Sequence, residues 1–184
     1  MQLLRYSLDM EKLAEDWVAD CLLRNSSADD RTQFQSTGIS YALGYGYELM
    51  ARDITTRFAN EWIDYDYSTN TCTEACGNYT QMVWANSTEV GCAIQRCDEI
   101  RPDWPKPTYL VACQYKPAGN IPGEMPYEEG ESCSKCPEGN ECRSNQCASK
   151  LPLASEVQKP TSTSTKPYDF KQLLLPIFPI PFLV

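Results

Sequence analysis

Ten cysteines and no histidine bound the chemistry open to this 184-residue chain. Ten is an even count, which fits five disulfides formed in an oxidising compartment. The last four, Cys133, Cys136, Cys142 and Cys147, also open as a Cys-x-x-Cys pair, the spacing of a thiolate metal site. Without imidazole there is no mixed Cys/His site and no histidine general base. Acid–base or nucleophilic work would fall to Asp, Glu or Lys, and no paired-carboxylate or Ser/Lys motif stands out. Three N-x-S/T sequons, at Asn25, Asn78 and Asn86, fit passage through the secretory route.

Charge removes two classes of partner. A formal net charge of −9 argues against nucleic acid, because neutralising phosphates needs clustered Lys and Arg. It equally disfavours anionic lipid surfaces. The acidic residues Glu124, Glu128, Glu129, Glu131, Glu138 and Glu141 read as a solvated face rather than a docking site. The opening MQLLRYSLDMEKLAEDW turns amphipathic and acidic at once, with neither the apolar run nor the cleavage site of a secretion signal. We therefore expect the sequence to begin downstream of a leader.

Several elements must position whatever site exists. Leu13, Trp17 and Cys21 recur at i+4 beside Met10, Ala14 and Val18, which predicts a helix over 8–22 capped by Asp9. Residues 23–46 are polar, then rich in Gly and Tyr, and read as loop, with a single turn of helix within it as the alternative. Ile54, Phe58 and Trp62 form the stripe of a second helix over 47–63. Strand-like runs follow at Tyr79–Trp84, Val90–Cys97 and Tyr109–Tyr115, with three Pro residues breaking the chain between the last two. Helices first and an antiparallel sheet afterwards predict a layered α+β domain. Trp17, Trp62 and Trp84 read as core. Residues 148–172 are Ser/Thr/Pro/Lys-rich and read as a stalk. The tail 173–184, LLLPIFPIPFLV, is too short and too Pro-rich to cross a bilayer as a helix. Small residues, a polar spacer and then this tail follow the pattern of a glycosylphosphatidylinositol attachment signal; a plain apolar tail is the alternative.

Two stretches carry a resemblance. GNYTQMVWANS (77–87) and YLVACQYKPAGN (109–120), with VGCAIQRC between them, resemble the signature motifs of the CAP superfamily of cysteine-rich secretory, antigen 5 and pathogenesis-related proteins. PYEEGESCSKCPEGNECRSNQC resembles the cysteine hinge that follows this domain in animal members. CTEAC before Gly77 looks most like the glioma pathogenesis-related and peptidase-inhibitor-type branch. The resemblance covers residues 1–147 and implies a three-layer α-β-α sandwich over 1–118, lacking the family's first helix, with a disulfide-stapled hinge over 119–147. It also implies the pairs Cys21–Cys97, Cys92–Cys113, Cys72–Cys76, Cys133–Cys142 and Cys136–Cys147. A third domain pair of many members is missing at both ends, where Thr37 and Lys116 stand.

The family's central cleft holds two His and two acidic residues, which in some members bind a divalent cation. Carried over by motif, the first His falls on Asn25, the first Glu on Ile39, the second Glu on Tyr65 and the second His on Asn78. Asn and Tyr retain hydrogen bonding and Ile retains nothing polar, so the resemblance implies no metal, no cofactor and no catalysis in this cleft. The expectation is a non-enzymatic extracellular or cell-surface protein that binds an unidentified extracellular protein. A sterol or fatty acid is the alternative ligand, peptidase inhibition is another alternative, and membrane contact would come only through a lipid anchor. Asn86, just past a strand, and Asn25 are the glycosylation candidates; Asn78, at the border of a buried strand, is expected to be bare.

Overall fold

The computed structural model describes residues 1–23, 32–47 and 49–150. The stalk and tail segments and the candidate Asn25 lie outside the described residues, apart from the stalk's first residues up to 150. In chain order the elements are β1 (Arg5–Tyr6), α1 (Leu8–Val18), a 3-10 turn (Thr32–Phe34), β2 (Gly38–Tyr45) and α2 (Ala51–Asn60). A second 3-10 turn (Glu61–Asp64), β3 (Tyr65–Asp66), β4 (Thr71–Cys72) and α3 (Gly77–Met82) follow. The long strands β5 (Glu89–Arg96) and β6 (Thr108–Lys116) come next, and the hairpin β7 (Asn140–Arg143) and β8 (Gln146–Ser149) closes the described chain.

The main sheet runs β1-β5-β6-β2, with β6 antiparallel to both neighbours and the short β1 parallel to β5. Side chains alternate across it. Leu110, Ala112 and Ala93, with Ile39, Tyr41 and Leu43 of β2, pack on Ala14, Trp17 and Val18 of α1. Val111, Cys113, Cys92 and Ala42 turn the other way, toward Leu49 and the Ile54 and Phe58 of α2. Helices therefore cover both faces, and the molecule is an α-β-α sandwich.

Five disulfides staple these layers. Cys21–Cys97 ties the chain after α1 to the end of β5, and Cys92–Cys113 joins directly opposed residues of β5 and β6. Cys72–Cys76 closes a short loop, while Cys133–Cys142 and Cys136–Cys147 hold the hairpin module. Residues 1–3 knit that module to the sandwich. The Leu3 N–H donates to the Cys147 carbonyl, the Cys147 N–H to the Met1 carbonyl, and the Gln2 N–H to the Ala85 carbonyl.

Four expectations are corrected. Helix α1 stops at Val18, because Cys21 takes a left-handed φ of 51° as the chain turns toward Cys97. The run from Tyr79 is helix α3, not a strand: Tyr79, Thr80 and Gln81 are all buried, and an unbroken buried run carries no period to distinguish the two. Residues 38–45 are a strand, not loop. Gly38 and Gly44 are small there because Gln81 and Leu49 lie on them; a Cβ at Gly38 would sit 1.8 Å from Gln81 Oε1. Trp62 is not core. Helix α2 gives way to a 3-10 turn before it, the change of pitch swings the indole outward, and it is 60% exposed.

Gly91 of β5 sets how closely α1 can lie on the sheet. A Cβ there would come within 2.0 Å of the Glu11 backbone nitrogen and 2.6 Å of the Ser7 carbonyl oxygen, neither of which can rotate away. Gly91→Ala should lift the start of α1 and cost about 2–3 kcal/mol or more in chemical denaturation of the oxidised chain. Gly38→Ala, opposed by a side chain that can move, should cost less.

Candidate functional site

The site grows from the place where the 3-10 turn after α2, the start of α3 and the free edge of β2 converge. The first N–H groups of a helix have no intrahelical acceptor. In α3 the Glu61 carboxylate supplies one. Its Oε2 accepts the Asn78 N–H at 2.9 Å and the Tyr79 N–H at 3.1 Å, and its Oε1 accepts the Asn78 Nδ2 at 2.6 Å. Both carboxylate oxygens are thus committed to amide donors.

Asn78 passes the connection on to the sheet. Its Oδ1 accepts the Tyr41 N–H of β2 at 2.9 Å, and its carbonyl accepts the Ser40 hydroxyl at 3.2 Å. One turn before Glu61, the Arg57 guanidinium donates to the Leu43 carbonyl of the same strand. Between these contacts lies a recess of about 240 Å³, lined among the described residues by Leu23, Tyr41, Ala42, Leu43, Arg57, Glu61 and Asn78.

Of the three candidate positions among the described residues, Asn78 alone lines this recess. Ile39 packs into the cluster under α1. Tyr65 lies one helical turn beyond Glu61, among Tyr67, Tyr79 and Tyr127, and its hydroxyl donates to Asn70 Oδ1 at 2.9 Å. Burial first, then Tyr127, Tyr67 and Asp66, push the Tyr65 hydroxyl up to about 12, so it is neutral at physiological pH and no base. The acid beside Asn78 is therefore Glu61, which sequence reasoning missed. Its signal was available: an acid at the end of one helix is the partner that the orphan N–H groups of a short following helix require. Nowhere among the described residues do three or more His, Cys, Asp or Glu converge as a metal's ligands would.

The sequons separate by geometry. Both ends of the Asn78 amide are engaged and Thr80 is buried, whereas Asn86 is exposed on the turn closed by the Ser87 N–H and the Trp84 carbonyl.

The strut makes a coupling prediction. Glu61→Ala strands two backbone donors and the Asn78 amide, and should cost about 2–3 kcal/mol in urea denaturation. Asn78→Ala should cost about 1–2 kcal/mol. The double variant should be less costly than the sum by at least about 0.5 kcal/mol, since each change breaks the same bond. Simple additivity would mean that Glu61 and Asn78 do not act through a shared bond.

Comparison with known proteins agrees with this architecture. The model of the cysteine-rich secretory protein family (CAP) matches residues 1–115. GLIPR1-like protein 1 of Homo sapiens is 32% identical over 191 residues, covering 97% of this chain and 78% of that protein. Its Bos taurus counterpart is 35% identical over 159 residues, where this chain spans only 63% of the relative's length. Peptidase inhibitor 16 of Mus musculus is 39% identical over 85 residues, 45% of this chain and 17% of that protein. Among solved structures, Schistosoma mansoni venom allergen-like protein 4 superposes with a TM-score of 0.54 at 24% identity, over 70% of this chain and 75% of its own. NaASP2 with Zn2+ gives 0.63 at 24% identity, over 80% and 76%. With the family's model matched over more than half its length on a disulfide-stapled α-β-α sandwich, the chain belongs to the cysteine-rich secretory protein (CAP) family.

Proposed function

We propose that this protein works outside the cell or at its surface by binding another protein, and that it catalyses no reaction. The observation that carries the reading is the engagement of Glu61. The one carboxylate lining the recess among the described residues accepts three amide hydrogen bonds, one on Oε1 and two on Oε2, so most of its acceptor capacity and its orientation go to capping α3. The chain has no histidine to serve as a general base.

The binding half of the reading rests on the surface. Trp62 and Ile63, next to Glu61, are 60% and 71% exposed, and Leu22 and Leu23 are exposed as well. Exposed apolar and aromatic side chains are the usual makings of a protein contact. Five disulfides suit an oxidising compartment. The recess, at about 240 Å³, is smaller than the ~300–1,000 Å³ typical of small-molecule pockets, which favours a protein over a sterol or fatty acid. Peptidase inhibition is a second reading, supported by the 85 residues shared with a relative named peptidase inhibitor 16.

Two measurements test this. The oxidised full chain, assayed against ester, peptide, glycoside and phosphoester substrates, should show no turnover above buffer; turnover that Glu61→Ala abolishes would overturn the reading. A panel of serine, cysteine and metalloprotease rates should be unchanged by added protein, and slowing of one class would favour inhibition instead. Asn86 is the sequon we propose to carry a glycan. Material secreted from animal cells should lose one glycan mass on enzymatic deglycosylation and lose that shift in Asn86→Gln; unglycosylated Asn86 in secreted protein would contradict it.

A further inference from the structure

Of the five disulfides, Cys72–Cys76 joins the same elements as the Glu61 strut. Cys72 ends β4, where it pairs with Tyr65 of β3, and the Thr73 N–H donates to the Asp64 carbonyl at 2.8 Å. These contacts fasten Cys72 to the 3-10 turn that carries Glu61, Trp62 and Ile63. Cys76 stands at the start of α3, and its carbonyl accepts the Thr80 N–H at 3.0 Å. The bridge therefore runs alongside the bonds from Glu61 to the Asn78 and Tyr79 N–H groups, and both tie one turn to one helix.

This bridge is open to attack. Every residue from Thr71 to Ala75 is exposed, Cys72 included, whereas Cys76 is 1% exposed. A thiolate from solution thus reaches the Cys72 sulfur and expels Cys76. Cys92–Cys113 is buried at both ends, and Cys21–Cys97 and Cys136–Cys147 each pair a buried cysteine with a half-buried one. Cys133–Cys142 reaches the surface at Cys142, but it lies in the hinge, where Cys136–Cys147 and the β7–β8 ladder hold the same hairpin. Its opening leaves the strut untouched.

Little of the fold depends on the exposed bridge. It closes a separation of 4 residues, against 76 for Cys21–Cys97 and 21 for Cys92–Cys113, and the constraint on the unfolded chain grows with the loop closed. Strands β3 and β4 are two residues each, a pairing too small to stand without other support. Opening the bridge spares the core and loosens this margin.

We infer that Cys72–Cys76 is a thiol–disulfide exchange site, at which a dithiol reductant releases the start of α3 from the turn bearing Glu61 and Trp62 while the core disulfides stay closed. One thiolate of the dithiol attacks the Cys72 Sγ. The S–S bond breaks, and its electron pair leaves on the Cys76 Sγ, which takes a proton. The second thiolate then attacks the reductant's own sulfur in the mixed disulfide, and Cys72 leaves and is protonated. The protein gains two electrons and two protons, and the dithiol loses both as it closes to a disulfide. The inference does not rest on the protein-binding reading; it adds that thiol chemistry controls the turn presenting Trp62 and Ile63.

The test titrates the oxidised full chain with dithiothreitol, alkylates the freed thiols for peptide mass spectrometry, and follows amide exchange. Cys72 and Cys76 should be labelled while Cys21, Cys92, Cys97, Cys113, Cys136 and Cys147 are not. Over the same range the Asn78 and Tyr79 amides should exchange about tenfold faster or more, with those of β6 unchanged. Reoxidation after the dithiol is removed should restore the slow exchange. Thioredoxin in place of dithiothreitol separates the sources: opening by both assigns the site to protein and small dithiols alike, opening by dithiothreitol alone to small ones. The oxidised Cys72→Ser/Cys76→Ala variant should exchange the two amides as fast as the reduced wild type. If that variant fails to fold, the titration of the wild type decides.

Labelling of Cys72 and Cys76 only together with the core cysteines, in one unfolding step, would overturn the inference. So would opening of Cys72–Cys76 with Asn78 and Tyr79 exchange unchanged, or exchange that follows Cys133–Cys142 instead. Turnover that Glu61→Ala abolishes would remove the protein-binding reading and leave this result standing.

Discussion

Strand β6 is buried on both faces from Leu110 to Tyr115, and the sandwich is built outward from that strip. Apart from Gln114, whose buried Oε1 has no hydrogen-bond partner among the described residues, the strip is apolar or aromatic, and a strand buried on both sides tolerates neither drift in register nor a shift of its neighbours. Its register with β5 places Cys92 opposite Cys113 and lays Gly91 under the backbone of α1. Its register with β2 leaves Tyr41 and Leu43 looking outward at the sheet edge. The recess is thus fixed by the core, although it lies at the margin.

At that margin the polar residues work as scaffold. Glu61 closes the start of α3, Asn78 fastens α3 to β2, and Arg57 fastens α2 to the same strand. Each contact joins two elements whose positions the core already constrains, so the bonds form with little further loss of conformational entropy. A carboxylate held this way has its orientation set by the helix it caps, unlike an acid that stands open to solvent.

The parts legible in the sequence were those whose pattern repeats: the apolar stripe of α1, the β-rich runs of β5 and β6, and the α+β order of elements. The disulfide pairs came from resemblance, since ten cysteines alone leave the connectivity open. What escaped had local causes. Strand β2 alternates Ile39, Tyr41 and Leu43 with Ser40, Ala42 and Gly44, but its small residues answer to Gln81 and Leu49, which sequence does not place beside them. Trp62 followed the helical stripe of Ile54 and Phe58 on paper, and a change of pitch after Asn60 carried it into solvent. Tyr65, the position the motif gave, stands one helical turn from Glu61. Only the position of α3 reveals which residue reaches Asn78.

An exposed sheet edge is a hazard that proteins usually blunt with charge, proline, bulges or a covering element. Here β1 needs little of this, being two residues long. Strand β2 is eight residues long and unbulged, and two side chains blunt it: an amide on one N–H and a guanidinium on one carbonyl. Side-chain caps protect differently from a covering strand. They take the Tyr41 N–H and the Leu43 carbonyl out of any ladder and so interrupt continuous strand pairing along this edge. They leave between them one acceptor, the Tyr41 carbonyl, and one donor, the Leu43 N–H. Asn78 makes paired amide contacts that an imidazole could not make in the same way: Oδ1 toward the Tyr41 N–H and Nδ2 toward Glu61. A neutral imidazole could accept from one of these partners and donate to the other only through nitrogens on opposite sides of a rigid ring. The amide reaches both from a single carbon, and so holds α3 close against the edge it guards.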